Sequence, residues 1–552
     1  RASREPEIMV RFYLCNATTD HTYFIYKKTP MTQNSDLVQK RKKPANSALI
    51  LTQVANATLK KTAYLSVGVG LGLSTLTITA HADTTGSEEY RGSAAVVDTS
   101  APIAALSTLS SLDDDKPLKV TLPKIQQFKT TTGVPVRFVQ TTALPIVDVD
   151  LRFNAGSARD TSIRKEGFGI ANMTATMLTQ GSKKLDEDEF TQAVETLGIH
   201  LNSSAYKDMF IVSLRSLSDD KHLLPAIDLM TQMLSEPAFD EDILARNKAR
   251  LLVGLQQQKQ DPNSLASIAF NQALYGEHPY AHPSVGTLDS VPNIDKQQLI
   301  AFKNQYLVAA NASIAMTGNL TLPQAKKLAE DITNGLPTGQ SAADLPEPKP
   351  LNQAKHIHIP FPSTQTTILM GQLGSKRATN PKDQQQQTNF AVGNEVLAGG
   401  DFNARLMTEV RQNLGYTYGI SGSMNPMLAR GPYQISFSTR NDKARAAIEA
   451  SLEVINNTLD QGITSSEMRL TTDNLKNSFP MGFASNAGIN GLLGMMNFYQ
   501  LPNSYLTDYV KRIDQVKLSE INQTMRGTLK PDDFLIVTVG QDDPWQDKKT
   551  IK

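Results

Sequence analysis

Two stretches of this 552-residue chain close in the same way, and that recurrence limits the folds open to it. Gln298–Leu307 reads as a helix leading into ASIAMTG at Ala312–Gly318. Leu518–Leu529 reads as a helix leading into FLIVTVG at Phe534–Gly540. Each pair is a helix, a short loop, an apolar strand and a glycine. The order of elements upstream agrees. In the first half Thr132–Gln140 and Ile146–Ala155 alternate as strands, the latter with Val147, Val149, Leu151 and Phe153 on one face. Helical spacing follows at Gly169–Thr179, Asp186–Leu197, Leu223–Ser235 and Asp240–Gln258, with one or two strands in Ser203–Leu217. In the second half His356–Ile359, Thr366–Gln372 and Pro432–Ser438 read as strands. Thr388–Leu397, Ala404–Leu414, Asp442–Gln461 and Ser465–Phe479 read as helices. The expected fold class is α+β by internal duplication: two homologous halves, each a mixed or antiparallel sheet packed with helices. The Pro-, Ser- and Gly-bearing stretch Thr338–Asn352 marks a linker between a first domain at 118–337 and a second at 353–552.

The N-terminal part is of another kind. Met31 is the expected start, with residues 1–30 an upstream extension that holds the only cysteine, Cys15. A basic region (Lys40, Arg41, Lys42, Lys43, Lys60, Lys61) precedes the apolar run Ala63–Ala80, which closes in Ala80-His81-Ala82. Positive, apolar, then A-x-A is the pattern of a secretory signal peptide, here residues 31–82, and it predicts export to the periplasm or an equivalent compartment. The competing reading is an uncleaved anchor, although the run is short and Ser/Thr-diluted against the roughly 20 strongly apolar residues that a span needs. Residues 83–117, rich in Ser, Thr, Ala and Asp, read as a flexible lead-in. Residues 1–82 hold 11 of the 55 Lys and Arg and 4 of the 54 Asp and Glu, so the remainder carries 44 and 50, a net of −6. That balance argues against a nucleic-acid partner. A chain cut after Ala82 has no cysteine, hence neither a disulfide framework nor a thiol nucleophile.

The histidines fall outside the usual metal spacings. His278 and His282 are four apart, but Pro279 and Pro283 break any helix that would align them. His356 and His358 alternate on an expected strand and so point the same way; a two-His site is open there, but with no carboxylate nearby in sequence the favoured reading is surface or hydrogen-bonded histidines. No G-x-S-x-G, phosphate-cradling loop or dinucleotide fingerprint is present. Gly399-Gly400 reads as a helix C-terminal turn.

One helix carries a frame without its chemistry. Gly169–Leu178 reads GIANMTATML, in register with G-x-A-H-x-x-E-H-M-L, and the three reactive positions are Asn172, Ala175 and Thr176. An Ala methyl offers neither a lone pair nor a base, and Asn amide and Thr hydroxyl are poor zinc ligands beside imidazole. Other segments fit the same frame. They are Phe153–Asp160 (FNAGSARD), His278–Thr287, and Leu397–Leu406 with Glu409–Gly419 (EVRQNLGYTYG). Together they resemble the pitrilysin/insulinase family of zinc metallopeptidases, the inverzincins with H-x-x-E-H, from about Leu118 to the end.

The resemblance implies further losses and one survival. The family's third zinc ligand, a Glu on a later helix, falls near Val253 or Gly254, and Ile243–Gln260 contains no Asp or Glu. No cofactor is therefore expected in this chain; zinc is expected in a partner. The family's Arg and Tyr that grip the substrate backbone match Arg411 and Tyr418, and a guanidinium and a phenol suit an oxyanion. By composition alone, Arg411 reads as a solvated helix-face charge and Tyr418 as a packed strand residue. Bacterial relatives include heterodimers in which one subunit carries the zinc motif and the other the Arg/Tyr pair. The resemblance thus implies a non-zinc-binding subunit of an exported peptidase heterodimer. Its expected partners are a homologous zinc-bearing subunit and unfolded peptides, with no nucleic acid and no stable membrane insertion. The alternative is a catalytically inert peptide-binding or scaffold protein of the cell envelope.

Overall fold

The computed structural model describes residues 121–399 and 402–546. The expected extension, signal segment and lead-in, and Gly400 of the glycine pair, lie outside the described residues. The first sheet has strands β1 (Gln126–Lys129), β2 (Pro135–Gln140), β3 (Ile146–Phe153), β4 (His200–Ala205), β5 (Phe210–Leu217) and β6 (Ala312–Gly318). Their spatial order is β1-β2-β6-β3-β5-β4. The second sheet has β7 (Lys355–Pro360), β8 (Gln365–Leu373), β9 (Thr417–Met424), β10 (Pro432–Arg440) and β11 (Leu535–Gly540), in the order β7-β11-β8-β10-β9. With the edge strand β1 set aside, both sheets run first, fifth, second, fourth, third. In each, the first and fifth strands are parallel (β2 with β6, β7 with β11) and every other pairing is antiparallel. The duplicated α+β fold is thereby confirmed at the level of strand order and direction. The expected Ser203–Leu217 region is two strands, β4 and β5.

The helices repeat too. Between its second and third strands, the first half places α1 (Ile170–Leu178) and α2 (Glu187–Leu197). After β5 come α3 (Asp220–Ser235), α4 (Glu241–Gln258) and α5 (Pro262–Tyr275), and α6 (Lys296–Tyr306) leads into β6, followed by α7 (Leu322–Asn334). The second half has α8 (Pro381–Ala398) and a π-helical turn, Met407–Asn413, between β8 and β9. Then α9 (Ala444–Gln461), α10 (Ser465–Ser478) and α11 (Asn486–Phe498) follow β10, and α12 (Leu518–Thr528) leads into β11. Besides α7, the sequence reading lacks α5 and α11.

Those two helices are exchanged. The helix α5, from the first half, packs on β8 and β11 of the second sheet; α11, from the second half, packs on β2, β3 and β6 of the first. Under α5, Ala266, Phe270 and Leu274 share one buried cluster with Leu369, Leu373, Leu535, Val537 and Val539. Under α11, Ile489 and Leu493 meet Val139 and Ala315. Asn497 Nδ2 donates to the Ile314 carbonyl at 2.6 Å, and Asn490 accepts from the Thr317 hydroxyl at 3.3 Å. Glycine makes the second approach close: a Cβ on Gly494 would lie 2.4 Å from Arg152 Nε, and the Arg152 guanidinium donates to the Gly491 carbonyl at 3.4 Å. Each apolar closing strand is thus covered on both faces, and every residue of β6 and β11 is buried.

Neither half has a complete core without the other. Phe270→Ala in α5 and Leu493→Ala in α11 should each cost about 2–5 kcal/mol. Both should move one shared unfolding transition, followed by calorimetry; a scan in which each variant shifts a separate transition would contradict the exchange.

Candidate functional site

The segments that resembled the peptidase frame come from distant parts of the chain, and several meet around α1. Strand β3 runs out into Asn154–Arg159, which places Asp160 beneath the start of α1. Its buried carboxylate accepts from Gly169 N and Ala171 N, both at 2.8 Å, two donors at a helix N-terminus. Gly169 takes φ 96°, and a Cβ there would sit 2.7 Å from the Val285 carbonyl oxygen. Opposite it, Gly286 takes φ 90°, with a Cβ 2.6 Å from the Phe168 carbonyl oxygen. Two glycines therefore let the loop at His278–Thr287 lie directly against the entry to α1. The His282 and Phe168 rings stack there at 3.6 Å, and Ser290 Oγ donates to the Phe168 carbonyl at 2.7 Å.

A buried polar group ties this corner to the second half. Lys207 donates to the Tyr280 carbonyl at 2.9 Å and also to the His282 carbonyl. The Tyr280 hydroxyl donates to Asp208, whose other oxygen accepts from Leu428 N at 2.8 Å, while Ala429 N donates to the Tyr280 oxygen at 3.1 Å. Burial pushes the Asp160 carboxyl up to about 8, against the opposing pull of the N–H groups of Ala171 and Gly169 and of Lys207. Burial likewise draws Lys207 down to about 8, opposed by Asp160 and Asp208. His278 is fixed by two bonds: Nδ1 accepts from Tyr280 N at 3.1 Å, and Nε2 donates to the Pro346 carbonyl at 2.9 Å. Sequence reading placed Asp160 in the turn but missed Lys207, Asp208 and Tyr280, since nothing in a Lys-Asp pair between two strands signals burial.

On α1 itself the three positions do not fit a zinc ion. Ala175 is buried with no polar atom, and the Thr176 hydroxyl is turned back onto the Asn172 carbonyl at 3.1 Å, a bond that closes within the helix. Helix α4, which has no acidic residue from Ile243 onward, packs against α1, where Asn247 Nδ2 meets Met177 Sδ at 3.4 Å. On α4, Val253 is an exposed apolar residue and Gly254 faces open space. Among the described residues no three His, Cys, Asp or Glu side chains gather as a metal-binding group.

Arg411 and Tyr418 lie on the second half. Arg411 sits in the π-helical turn, where Leu414 N reaches back five residues to the Glu409 carbonyl at 3.0 Å. Arg405, just before it, makes two bonds to Glu467, at 2.8 and 2.7 Å, and one to the Gly462 carbonyl at 3.1 Å. The turn is thereby held against α9 and α10. The Arg411 guanidinium lies 4.5 Å over the Phe402 ring, and no carboxylate pairs with it among the described residues. Tyr418, on the edge strand β9, is 88% exposed, so it is no packed strand residue. Phe402 and Leu414 are exposed beside the same turn. Among the described residues no hydrogen bond, ion pair or ring contact links Arg411 or Tyr418 to α1. Phe402 was absent from the sequence reading, although an aromatic next to a glycine pair was there to be noticed.

A zinc-peptidase frame with both halves present and its ligand helix blank defines an inactive peptidase homologue. Residues 137–288 match the family model described as insulinase (peptidase family M16), and residues 293–475 match that of the peptidase M16 inactive domain. The chain belongs to peptidase family M16. The crystal structure of a peptidase M16 inactive domain from Pseudomonas fluorescens superposes with a TM-score of 0.72 at 36% identity, covering 77% of this chain and 100% of that one. A "non-peptidase homolog YmxG" of Helicobacter pylori is 24% identical over 74% of this chain and 91% of its own length. An "uncharacterized zinc protease YmxG" of Bacillus subtilis is 20% identical over 73% and 95%.

The buried carboxyl gives this site a pH signature. The unfolded chain releases the Asp160 proton near pH ~4, whereas the folded chain holds it up to about 8. The folded state therefore loses stability as pH rises through that window. Asp160→Asn removes the titration and leaves one of the two N–H donors short of its acceptor. The thermal midpoint of the wild type should fall relative to Asp160→Asn between pH 5 and 8; a constant difference across that range would refute the assignment.

Proposed function

We propose that this chain is the non-zinc-binding subunit of an exported peptidase heterodimer. It supplies part of the substrate chamber, together with Arg411 and Tyr418, to a homologous subunit that holds zinc. One observation carries the reading: a cation that pairs with no carboxylate among the described residues, stacked on exposed Phe402, in the turn that leads into the 88% exposed Tyr418. A guanidinium and a solvent-facing phenol placed this way can both donate to a bound acceptor. A peptide carbonyl, or the oxyanion formed from it, is the acceptor that the family resemblance supplies. The blank α1 leaves attack on the peptide bond to the partner's metal. The charge, apolar and A-x-A succession before Asp83 supports export and cleavage after Ala82. No helix among the described residues is long and apolar enough to cross a membrane.

The chain alone should neither cleave unfolded peptides nor bind zinc at Asn172, Ala175 and Thr176. Mixed with a homologue bearing H-x-x-E-H it should restore cleavage. Arg411→Ala and Tyr418→Phe should then each lower kcat, by up to about 10²–10³-fold if the lost group is an oxyanion donor. Full activity of both variants would remove the assigned roles. Full activity of the zinc partner without this chain would favour the inert envelope scaffold instead.

A further inference from the structure

His356 and His358 lie two apart on β7, the outermost strand of the second sheet, so their rings share one face. The residues that alternate with them, Ile357 and Ile359, pack on the opposite face with the cluster under α5. On the histidine face the two rings converge. His356 Nε2 lies 3.1 Å, and His358 Nδ1 3.0 Å, from one atom, the Thr538 hydroxyl oxygen on the neighbouring strand β11. A hydroxyl has a single proton, so it can satisfy the lone pair of only one of these nitrogens. Behind His356 stands the carboxylate that the sequence did not place there: Asp543 Oδ1 is 3.9 Å from His356 Nδ1, the ring nitrogen turned away from Thr538. Trp545 follows, its ring 4.1 Å from that of His356.

Two imidazole nitrogens aimed at one point, with a carboxylate on the far nitrogen of one ring, is the arrangement that orients histidine toward a cation. We propose that His356 and His358 form a two-nitrogen chelate for a divalent, imidazole-seeking cation, with Cu(II) bound tightest, Asp543 orienting His356 and water completing the coordination. The preference for copper follows the order of divalent affinities for nitrogen ligands. The site is open: among the described residues no third His, Cys, Asp or Glu ligand gathers with the pair. The Thr538 hydroxyl oxygen stands at the point where the two nitrogens converge, so a cation enters only when the Thr538 side chain turns about its χ1 bond or the two rings turn off it. The competing role is a metal-free clasp, in which the hydroxyl merely pins an edge strand.

The chain carries its own reporter. Trp545 is its one tryptophan, and it touches a proposed ligand, so bound Cu(II) should quench the intrinsic fluorescence. The full chain is titrated with Cu(II), read by tryptophan emission and by electron paramagnetic resonance. The expected result is quenching that saturates at one equivalent, with hyperfine splitting from two imidazole nitrogens. His356→Ala and His358→Ala should each weaken binding at least tenfold, while His222→Ala leaves it unchanged. Trp545→Phe should abolish the optical signal and keep the resonance signal. Thr538→Ala retains both rings and vacates the point where they converge, so it should bind at least as tightly as the wild type; this variant keeps the test decisive if a histidine variant fails to fold. Unaltered copper binding in His356→Ala/His358→Ala, or no copper signal in the wild type, would overturn the site and leave the clasp.

Discussion

The covering of each sheet by a helix from the other half is the contact on which the remaining architecture depends. Strands β6 and β11 are buried along their whole length, and a strand with two apolar faces needs cover on both. Each half's own helices supply one cover. The other arrives by exchange, α5 over β8 and β11, α11 over β2, β3 and β6. The exchange also explains the chemistry of the two helices. The helix α11 carries Gly488, Gly491 and Gly494, costly in a helix interior, yet Gly494 gives the Arg152 guanidinium, paired with Asp150 at 2.9 Å, room against the helix backbone, where it reaches the Gly491 carbonyl. Packing has overruled propensity there.

The same exchange brings the α1 corner under the influence of the second half. The Leu428–Arg430 segment binds Asp208 and the hydroxyls of Tyr280 and Tyr275, the last through the Arg430 carbonyl at 3.1 Å. Tyr280 and His282 in turn hold Lys207 through their carbonyls. What persists around α1 is thus a scaffold: the glycine pair at 169 and 286, the carboxylate cap and the loop at 278–287. These parts set where the helix starts and which way it faces. They do so whatever side chains stand at 172, 175 and 176, which is why a frame can outlive its ligands.

Element order, duplication and most helices were legible because apolar periodicity records which face is buried, whereas the strand order within each sheet rests on pairing between distant segments. The two exchanged helices were not, for different reasons. Asp261-Pro262 is a recognisable helix start, with the Asp261 side chain accepting from Ser264 N at 2.9 Å, and Leu265, Ala266, Ala269, Phe270, Ala273 and Leu274 repeat at helical spacing; that signal was present and passed over. In α11 the glycines and asparagines read as loop, and only the facing sheet shows why they are helical. At the site, Asn172, Ala175, Thr176, Arg411 and Tyr418 were legible as positions in a motif. Phe402 was not, since its meaning comes from the Arg411 guanidinium that the turn lays over its ring, and the buried Lys207–Asp208–Tyr280 group was not, since its partners lie 72 to 220 residues apart. The carboxylate beside His356 is the same case: Asp543 reaches it only because β11 returns alongside β7.

The two halves have relaxed to different degrees, and this asymmetry bears on function. In α1 the replaced positions are at rest: a methyl is buried, a hydroxyl is bonded within its own helix, and the backbone is regular. The second half keeps a costlier arrangement. A π-helical turn, anchored by Arg405 on Glu467 and the Gly462 carbonyl, holds a guanidinium on an exposed aromatic with no carboxylate partner among the described residues. Exposed aromatics and unpaired cations contribute little to a chain that folds alone. A turn that presents a guanidinium and a phenol to solvent, beside a helix α1 whose side chains are satisfied within ordinary packing, is the structural contrast on which the proposed role of the second half rests.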